Sequence, residues 1–391
     1  MMVGVPRESL PGERRVALVP AGVATLKQAG CTVLLQSDAG LEAGFPDDEY
    51  RAKGAEIVPS RADVFARAEV ILQVRGPGAN PSHGKEELDN LRSGQVTIGF
   101  QDPLSAPQSV RDLAQKGVTA FAMELLPRTT RAQSMDALSS MATVAGYRAV
   151  LLAATTLPRM FPMMMTAAGT IIPARVLVVG AGVAGLQAIA TARRLGAIVK
   201  AYDVRPAVKE QVESLGARFV ELPLESAEGK GGYAGAQDEE FLRRQRELMA
   251  EVVAESNVVI TTAAIPGKKS PVLVTGEMVK GMAPGSVIVD LAAERGGNCE
   301  LTRADETVRE HGVTILGPTD LASRVPYHAS QMYSKNITTF LLHLMEEGSL
   351  SIDRDDDIIQ ETLLSRNGQV VHKGIQEALG QFPATVSDGK G

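Results

Sequence analysis

The sequence predicts an α/β fold with two doubly wound domains, joined by long helices and with a cleft between them. Short apolar segments rich in β-branched residues alternate with helical patterns along most of the 391 residues. One strand–turn–helix–strand unit, residues 175–205, contains the spacing G-x-G-x-x-G. Two longer helical patterns, at 134–157 and 330–347, flank the part of the chain that contains this unit. These three observations carry the prediction.

The first 125 residues contain short apolar runs, each expected to form a strand of a parallel sheet. These runs are 3–5, 32–36, 56–58, 70–74, 96–99 and 118–122. The helical patterns between them are 21–29, 46–53, 61–68, 85–91 and 106–116. No G-x-G-x-x-G spacing follows any of these runs, so we expect one dinucleotide site in the protein, in the other domain.

The pattern at 134–157 predicts one long helix, with Ser134 as its N-cap, that carries the chain into the second domain. The helix at 330–347 is predicted to lead back to the first domain, which the C-terminus completes. The predicted domains are 1–138 with 325–391, and 139–324. Further strands of the second domain are predicted at 218–222, 258–262, 286–291 and 313–316. The run DRDDD at 353–357 is interpreted as a solvated turn, and the tail 374–391 is expected to fray.

The unit at 175–205 has its parts in the order that a dinucleotide site requires. Arg175–Val179 is typical of a strand buried on both faces of a parallel sheet. Gly180 permits the tight turn, Gly182 lets the backbone approach a pyrophosphate, and Gly185 lets the helix pack closely on the sheet. The amides at the start of that helix bind the diphosphate. The unit therefore predicts a Rossmann-like domain.

A second strand, Ile198–Tyr202, ends on Asp203. A carboxylate at this point can accept hydrogen bonds from the adenosine ribose hydroxyls, and it repels the 2′-phosphate of NADP. The sequence therefore favours NAD. Arg205 keeps the alternative open, because a nearby arginine can accommodate that phosphate.

The composition excludes several other classes of protein. Charged residues make up 22% and hydrophobic residues 44% of the chain, as in ordinary globular proteins. A net charge of −6 gives no basic field for nucleic acid. Cys31 and Cys299 lie far apart without a CxxC spacing, so neither a metal site nor a disulfide scaffold is expected. The N-terminus lacks an apolar signal core, and direct membrane insertion is not expected.

Two segments have alternative interpretations. The Met-rich segment 160–174 is interpreted as packing before the first strand of the second domain, with a partner-facing surface as the alternative. The glycine-rich segment 223–237 surrounds Tyr233, and such a composition indicates either disorder or a lid.

None of the five histidines is placed at a strand end facing the nucleotide, so none is assigned as a general acid or base.

A polar cluster precedes the long helix. Arg128 and Arg131 are cationic, and Gln133 carries an amide. Asp136 and Ser139 are spaced to lie on one helix face. These residues either cap the helix, or they hold the nicotinamide carboxamide and ribose across the cleft. The residue types alone do not decide between the two interpretations.

These segments resemble the soluble NAD(H)-binding alpha subunit of the proton-translocating NAD(P) transhydrogenases, in its split form without membrane helices. The matching sequences are VPRE…GERRVALVP, RAQSMDALSS, FPMMMTAAGTIIPARVLVVGAGVAGLQAIATARRLGA, GGYA and TTAAIPGKKSP. The resemblance covers essentially residues 1–380. It implies direct hydride transfer from NADH bound here to NADP⁺ on a partner subunit, coupled to proton translocation. It also implies a homodimer, an NADP-binding beta subunit and a membrane subunit as partners, and a position on the cytoplasmic face of the inner membrane.

The resemblance also implies roles for individual residues. Those matched to the nicotinamide and its ribose are Arg128, Thr129, Gln133, Asp136 and Ser139. Those matched to the pyrophosphate and adenosine ribose, beside the motif glycines, are Gly182, Val183, Asp203, Val204 and Arg205. Gly232 and Tyr233 match a mobile loop that closes on the nucleotide, and Ala264 matches a backbone contact after the fourth strand. The catalytic candidates are Arg128, Gln133, Asp136, Ser139 and Tyr233.

Alanine dehydrogenase is a related family that shares the fold and Arg15, and it supplies the alternative function. Its catalysis uses a lysine after the fourth strand and a histidine after the fifth. The matching stretches here are ILQVRGPG and TIGFQDPL, which place Arg75 at the lysine and Phe100 and Gln101 in the region of the histidine. Hydride transfer between two nicotinamide rings needs no proton at the reacting carbons. The absence of the lysine and the histidine therefore agrees with transhydrogenation. A non-catalytic nucleotide-sensing module is the third hypothesis.

Overall fold

The computed structural model describes residues 1–221, 239–264, 267–352 and 355–380. The chain forms two compact units, one of Met1–Met141 with the chain from Ser323 onward, and the other of Ala142–Ala322. Both are α/β units built on largely parallel sheets, so the predicted fold class is confirmed.

The strands of the described residues are short, as the apolar runs predict. They are β1 (Met2–Val5), β2 (Thr32–Gln36), β3 (Glu56–Val58), β4 (Val70–Arg75), β5 (Val96–Phe100), β6 (Thr119–Ala122), β7 (Met164–Thr166), β8 (Gly169–Ile171), β9 (Arg175–Val179), β10 (Ile198–Tyr202), β11 (Arg218–Phe219), β12 (Val258–Thr261), β13 (Val287–Asp290), β14 (Thr307–Glu310), β15 (Val313–Leu316), β16 (Met345–Glu346), β17 (Ser349–Leu350), β18 (Leu363–Arg366) and β19 (Gln369–Val370).

The helices alternate with these strands over most of the chain. They are α1 (Pro20–Gln28), α2 (Asp47–Lys53), α3 (Arg61–Arg67), α4 (Gly84–Asn90), α5 (Pro107–Gln115), α6 (Ala137–Thr156), α7 (Val183–Arg194), α8 (Lys209–Ser214), α9 (Glu239–Ala254), α10 (Gly276–Gly281), α11 (Pro326–His343), α12 (Asp357–Thr362) and α13 (Lys373–Ala378).

The sheet of the first unit has the order β19-β18-β6-β5-β4-β1-β2-β3. The strands β1 to β6 pair in parallel, and β18 joins the edge at β6 in the antiparallel direction. Helix α11 closes part of this unit, because the hydroxyls of Ser330 and Ser334 accept the backbone N–H groups of Val16 and Val19, each at 3.0 Å. The C-terminal part of the chain therefore contributes both strands and a helix to this unit.

The sheet of the second unit has the order β11-β10-β9-β12-β13-β15-β14, and β14 alone of these strands runs antiparallel to its neighbour. Both faces of β9 are covered: Val176 and Val178 lie in one apolar cluster, while Leu177 and Val179 lie in another. The strand order reverses beside β9, whose neighbours are β10 and β12. Ligands of open α/β sheets bind at the carboxyl ends of the strands at such a reversal.

The structure corrects four local predictions. Helix α6 begins at Ala137, so Ser134 is not its N-cap. The Met-rich segment packs inside the second unit only at its ends, through Phe161 and Ala174, because the residues between them form the β7–β8 hairpin, in which every strand residue is exposed. The tail contains α13, Lys373–Ala378, where fraying was expected. The run at 353–357 is not simply a solvated turn, because the Asp356 side chain is 10% exposed.

One helix of the described chain, α6, is long and apolar enough to cross a membrane. The core helices of soluble proteins meet the same criterion of length and composition. In this structure 39% of the 18-residue apolar stretch of α6 is buried within the protein.

Candidate functional site

The glycine turn lies at the carboxyl end of β9. Gly180 has a φ of +99°, a conformation that favours glycine, and its N–H donates to the Tyr202 carbonyl at 2.8 Å. The Thr262 hydroxyl, from the end of β12, donates to the Gly180 carbonyl at 2.9 Å. The ends of three adjacent strands therefore hold the turn in place.

Gly182 and Gly185 meet different surroundings. A Cβ added at Gly185 would lie 1.9 Å from the Gly180 carbonyl oxygen, so this glycine lets α7 approach the turn. A Cβ added at Gly182 would have no heavy atom of the described chain within 4 Å. Gly182 precedes α7 as its N-cap, and no side chain at this position caps the first amides of the helix. This geometry suits a bound pyrophosphate.

Asp203 follows β10 beside the glycine turn and is 8% exposed. One carboxylate oxygen accepts the Ala181 N–H at 2.7 Å, and the other accepts the Arg205 N–H at 2.9 Å. The Arg205 guanidinium donates to both oxygens through Nε and Nη2, each at 2.9 Å. Val204, between them, packs partly buried against an apolar cluster. Asp203 thus lies next to the turn, as predicted. Arg205, whose charge could accommodate the 2′-phosphate of NADP, is paired with Asp203.

The loop after β12 completes this edge of the second unit. The Asn298 side chain accepts the Ala263 N–H at 2.9 Å and donates to the Ala263 carbonyl at 2.8 Å. Ala264, the predicted backbone contact, follows and is exposed. Sequence reasoning missed Asn298, which fixes both polar groups of Ala263. Because Asn298 lies 35 residues from Ala263 in the sequence, no local sequence pattern predicts their contact.

The buried carboxylate of Asp290 supports Asn298. It accepts the N–H groups of Asn298 and Cys299 at 2.8 and 2.9 Å and the Thr302 hydroxyl at 2.7 Å. Asp290 has no exposed surface. Its carboxylate therefore orders the backbone that carries Asn298, and acts on the loop after β12 through that side chain.

The polar cluster that precedes α6 lies in the first unit. Asp136 caps this helix, since one carboxylate oxygen accepts the Ser139 N–H at 2.8 Å and the other accepts its hydroxyl. Arg128, Thr129 and Gln133 are exposed. The capping interpretation is therefore correct for Asp136 and Ser139, and a nicotinamide-binding role for the cluster stays a prediction.

A single 3₁₀ turn, Gln133–Met135, positions Gln133. Ala132 and Met135 are buried and anchor the turn, while Gln133 between them is exposed. Asn336 on α11 donates to the Ser134 carbonyl at 2.9 Å. The turn is thus held on its inner side and presents a donor and an acceptor on its outer side.

Arg75, which the resemblance matches to the lysine of alanine dehydrogenase, lies beside a buried ion pair in the first unit. Arg15 donates to Glu13 through Nε at 2.7 Å, and the two side chains are 4% and 2% exposed. Arg75 Nε, at the end of β4, lies 3.7 Å from Glu13. Within the described residues neither polar atom of the Gln101 side chain has a hydrogen-bond partner. Arg75 thus presents a guanidinium at the position that the resemblance matches to the lysine, and Phe100 and Gln101 lie in the region that it matches to the histidine.

Two further carboxyls beside this group have strongly raised pKa values. Burial, with the charges of Glu13 and Glu87, raises the pKa of Glu8 to about 8. Burial likewise raises the pKa of Glu124 to about 7. Glu8 accepts the N–H groups of Val74 and Arg75 at 2.7 and 3.0 Å, and these bonds act in the opposite direction.

The structure brings the predicted residues together in two sets. The set in the second unit is Gly180, Gly182, Val183, Gly185, Asp203, Val204, Arg205 and Ala264. The set in the first unit is Arg128, Thr129, Gln133, Asp136 and Ser139. Gly232 and Tyr233 lie outside the described residues. In the part of the chain that the structure describes, no three His, Cys, Asp or Glu side chains are grouped to hold a metal ion.

Comparison with known families identifies the family of this chain. Models of the N-terminal and C-terminal domains of the family described as alanine dehydrogenase/PNT match residues 4–145 and 149–373. The chain belongs to the alanine dehydrogenase/PNT family. The resemblance inferred from the sequence motifs is therefore confirmed.

The chain is similar to two transhydrogenases and to an alanine dehydrogenase. It is 46% identical to NAD(P) transhydrogenase subunit alpha of Cereibacter sphaeroides over 376 residues, which cover 95% of this chain and 71% of the relative. The solved transhydrogenase structure from Sinorhizobium meliloti is 46% identical, with a TM-score of 0.85 over 95% of this chain and 100% of that one. Alanine dehydrogenase of Bacillus subtilis is 30% identical over 97% of this chain and 95% of the relative.

Proposed function

We propose that the chain is the NAD(H)-binding subunit of a proton-translocating NAD(P) transhydrogenase. NADH bound here passes a hydride directly to NADP⁺ on a partner subunit, which yields NAD⁺ and NADPH. One observation carries the choice within the family. The glycine turn and Asp203 are in place, while the resemblance matches Arg75 to the lysine of alanine dehydrogenase and places Phe100 and Gln101 in the region of its histidine.

The residues of the second unit fit a dinucleotide that supplies the hydride when bound. The open space over Gly182 and the uncapped start of α7 suit a diphosphate. The Asp203 carboxylate is held beside the turn, where it can accept ribose hydroxyls. Ala264 offers backbone groups on a loop that Asn298 fixes. These groups bind and orient, and none of them has to transfer a proton.

The residues of the first unit fit the nicotinamide end. Gln133 offers an exposed amide on an anchored turn, and amide and guanidinium groups suit the carboxamide and ribose oxygens. Hydride transfer needs the two ring carbons within about 3–3.5 Å, so the ring must be held in orientation. That the two sets of residues act on one dinucleotide is part of the proposal, as is closure by Gly232 and Tyr233.

The partners in the proposal are an NADP-binding beta subunit, a membrane subunit that couples transfer to proton movement, and a second copy of this chain. The enzyme would then lie at the cytoplasmic face of the inner membrane. The exposed β7–β8 hairpin supports the proposed association with a second copy of this chain. Met165 and Ile172 in this region are 80% and 81% exposed, and an isolated two-stranded hairpin is marginally stable alone.

A pair of assays tests the proposed function. The chain with pyruvate, ammonia and NADH should leave NADH unoxidised. With the NADP-binding subunit and an NADP⁺ analogue whose reduced form absorbs at its own wavelength, it should transfer hydride from NADH. NADH oxidation in the first assay would establish the alanine dehydrogenase alternative. NADH binding without turnover in either assay would establish the sensing module.

A further inference from the structure

Two contacts from distant parts of the chain hold the segment 128–136. One is the bond from Asn336 to the Ser134 carbonyl at 2.9 Å. The other joins the Arg131 guanidinium to Asp356, at 3.1 Å, and to the neighbouring Asp357. Arg131 precedes Gln133 by two residues, so its side chain restrains the part of the segment that presents the predicted nicotinamide contact.

Asp356 is the centre of this second contact. Its side chain is 10% exposed, and one oxygen caps α12 by accepting the N–H groups of Ile358 and Ile359 at 2.9 and 3.3 Å. The other oxygen accepts from Arg131 and lies 3.2 Å from His343 Nε2, at the end of α11. One carboxylate therefore connects three separate elements of the first unit.

The charge state of Asp356 supports this connection. Burial raises the pKa of its carboxyl, but the hydrogen bond with His343 and the N–H groups of Ile359 and Ile358 outweigh burial, so the pKa lies below its ordinary value. The carboxyl is therefore ionised at neutral pH. In contrast, Asp357 is 52% exposed, where ion pairs contribute little.

We infer that Asp356 is a positioning residue for hydride transfer, which acts through Arg131 on the orientation of Gln133. This inference rests on the proposed function, because it assumes that Gln133 holds the nicotinamide end. Since Arg131 and Asp357 are half-exposed, their contact adds little to the stability of the fold. What the buried anchor provides is a fixed position for the segment. Transfer is sensitive to displacements of about 1 Å, so this position affects the rate.

The test compares Asp356→Asn with Asp355→Asn. Asparagine caps helices as well as aspartate does, so Asp356→Asn keeps the cap on α12 and removes the charge that Arg131 meets. Asp355 is exposed and its carboxylate accepts from Gln360 at 2.8 Å, so Asp355→Asn removes one charge from the same run as a matched control. Each variant is mixed with the NADP-binding subunit, and single-turnover transfer is followed by stopped flow.

Asp356→Asn should slow transfer roughly tenfold to 10²-fold, while Asp355→Asn transfers at the wild-type rate. The affinity for AMP, which has no nicotinamide end, should stay at the wild-type value in both. Arg131→Met should slow transfer similarly, and the double variant should be no slower than the slower single variant, since both changes remove one interaction.

The outcomes separate the inference from the proposed function. Wild-type transfer by Asp356→Asn, together with slow transfer by Gln133→Asn, overturns the positioning role and leaves the proposed site intact. Wild-type transfer by Gln133→Asn overturns the proposed contact and the inference with it. Additive effects of Arg131→Met and Asp356→Asn, or a parallel loss of AMP affinity, show that Asp356 acts on the fold and not through Arg131.

Discussion

Arg205 and Asp203 form a two-point ion pair in which each nitrogen–oxygen distance is 2.9 Å. Two backbone N–H groups, from Ala181 and Arg205, also donate to this carboxylate. The positive charge of Arg205 is therefore neutralised, and the 2′-phosphate of NADP would meet a carboxylate that already holds the nearby guanidinium. This arrangement favours NAD.

Replacement of Asp203 tests this preference. Asp203→Ala should weaken NADH binding by about 1.5–3 kcal/mol, the contribution of hydrogen bonds to a charged group. It should also strengthen NADPH binding, because Arg205 is released. Titration calorimetry with both nucleotides measures the two effects. The double variant Asp203→Ala/Arg205→Ala should lose the gain for NADPH, and an unchanged NADH affinity in the single variant would remove Asp203 from the site.

Alanine substitutions at two glycines of the same turn should have different effects. Gly185→Ala places a Cβ 1.9 Å from the Gly180 carbonyl oxygen, so it should destabilise the second unit by about 1–3 kcal/mol. Gly182→Ala has open space in the nucleotide-free protein and should keep the wild-type melting temperature. NADH affinity should nevertheless fall roughly tenfold or more, because the diphosphate loses its approach to the backbone. Wild-type NADH affinity in Gly182→Ala would place the diphosphate elsewhere.

Gln133→Asn tests the exposed amide. The substitution keeps the amide and shortens its reach by one methylene, so the anchored turn and the cap at Asp136 should remain. Hydride transfer should fall on the order of 10²-fold, because misplacement of about 1 Å has that effect. Stopped-flow single turnovers with the NADP-binding subunit measure the rate, and thermal unfolding controls for the fold. A wild-type rate with a wild-type melting temperature would leave the segment with only its structural role.

Glu8 should make the first unit less stable as the pH rises. Its pKa is about 8 in the folded protein and 4.5 in the unfolded chain. Between these values the native state keeps a proton that the unfolded state has released, so the free energy of unfolding falls with rising pH. Glu8→Gln cannot titrate and should show a flatter dependence. Urea unfolding between about pH 5 and 8 compares them, and identical slopes would contradict the raised pKa.

The β7–β8 hairpin should be required for self-association. Met165→Asp with Ile172→Asp introduces charge at two positions that are 80% and 81% exposed, so the fold of one chain should be unaffected. Sedimentation velocity should show a dimer for the wild type and a monomer for the variant, with equal NADH affinity at the glycine turn. A variant that stays dimeric would show that the second copy binds elsewhere.

Local patterns predicted most of the sheets and one half of the candidate site. The strand β9, the three glycines and Asp203 follow one another closely, and their order carries the information. Contacts between distant residues had no such signal. Arg131 and Asp356 are separated by 225 positions, and an acidic run is ordinarily solvated, so the burial of Asp356 was not predictable. Strands β18 and β19 are short and join an antiparallel edge, where periodicity is weak.

The N-cap of α6 also differs from the prediction. Ser134 and Asp136 are both good N-caps, and the sequence pattern of α6 extends past both. The structure selects Asp136 because a separate 3₁₀ turn, Gln133–Met135, occupies the preceding residues. In that turn the Ser134 carbonyl accepts from Asn336, which lies 202 positions away.

The composition of the first unit from two separated stretches has a consequence for synthesis on the ribosome. The second unit is one continuous stretch, Ala142–Ala322, and can complete its fold as soon as it has emerged. The N-terminal stretch emerges earlier but must wait, because the N–H groups of Val16 and Val19 receive their partners only when α11 is made. The second unit can therefore complete its fold before the first unit does. Until then the unpaired edge of β6, which β18 later covers, is open to association with other nascent chains.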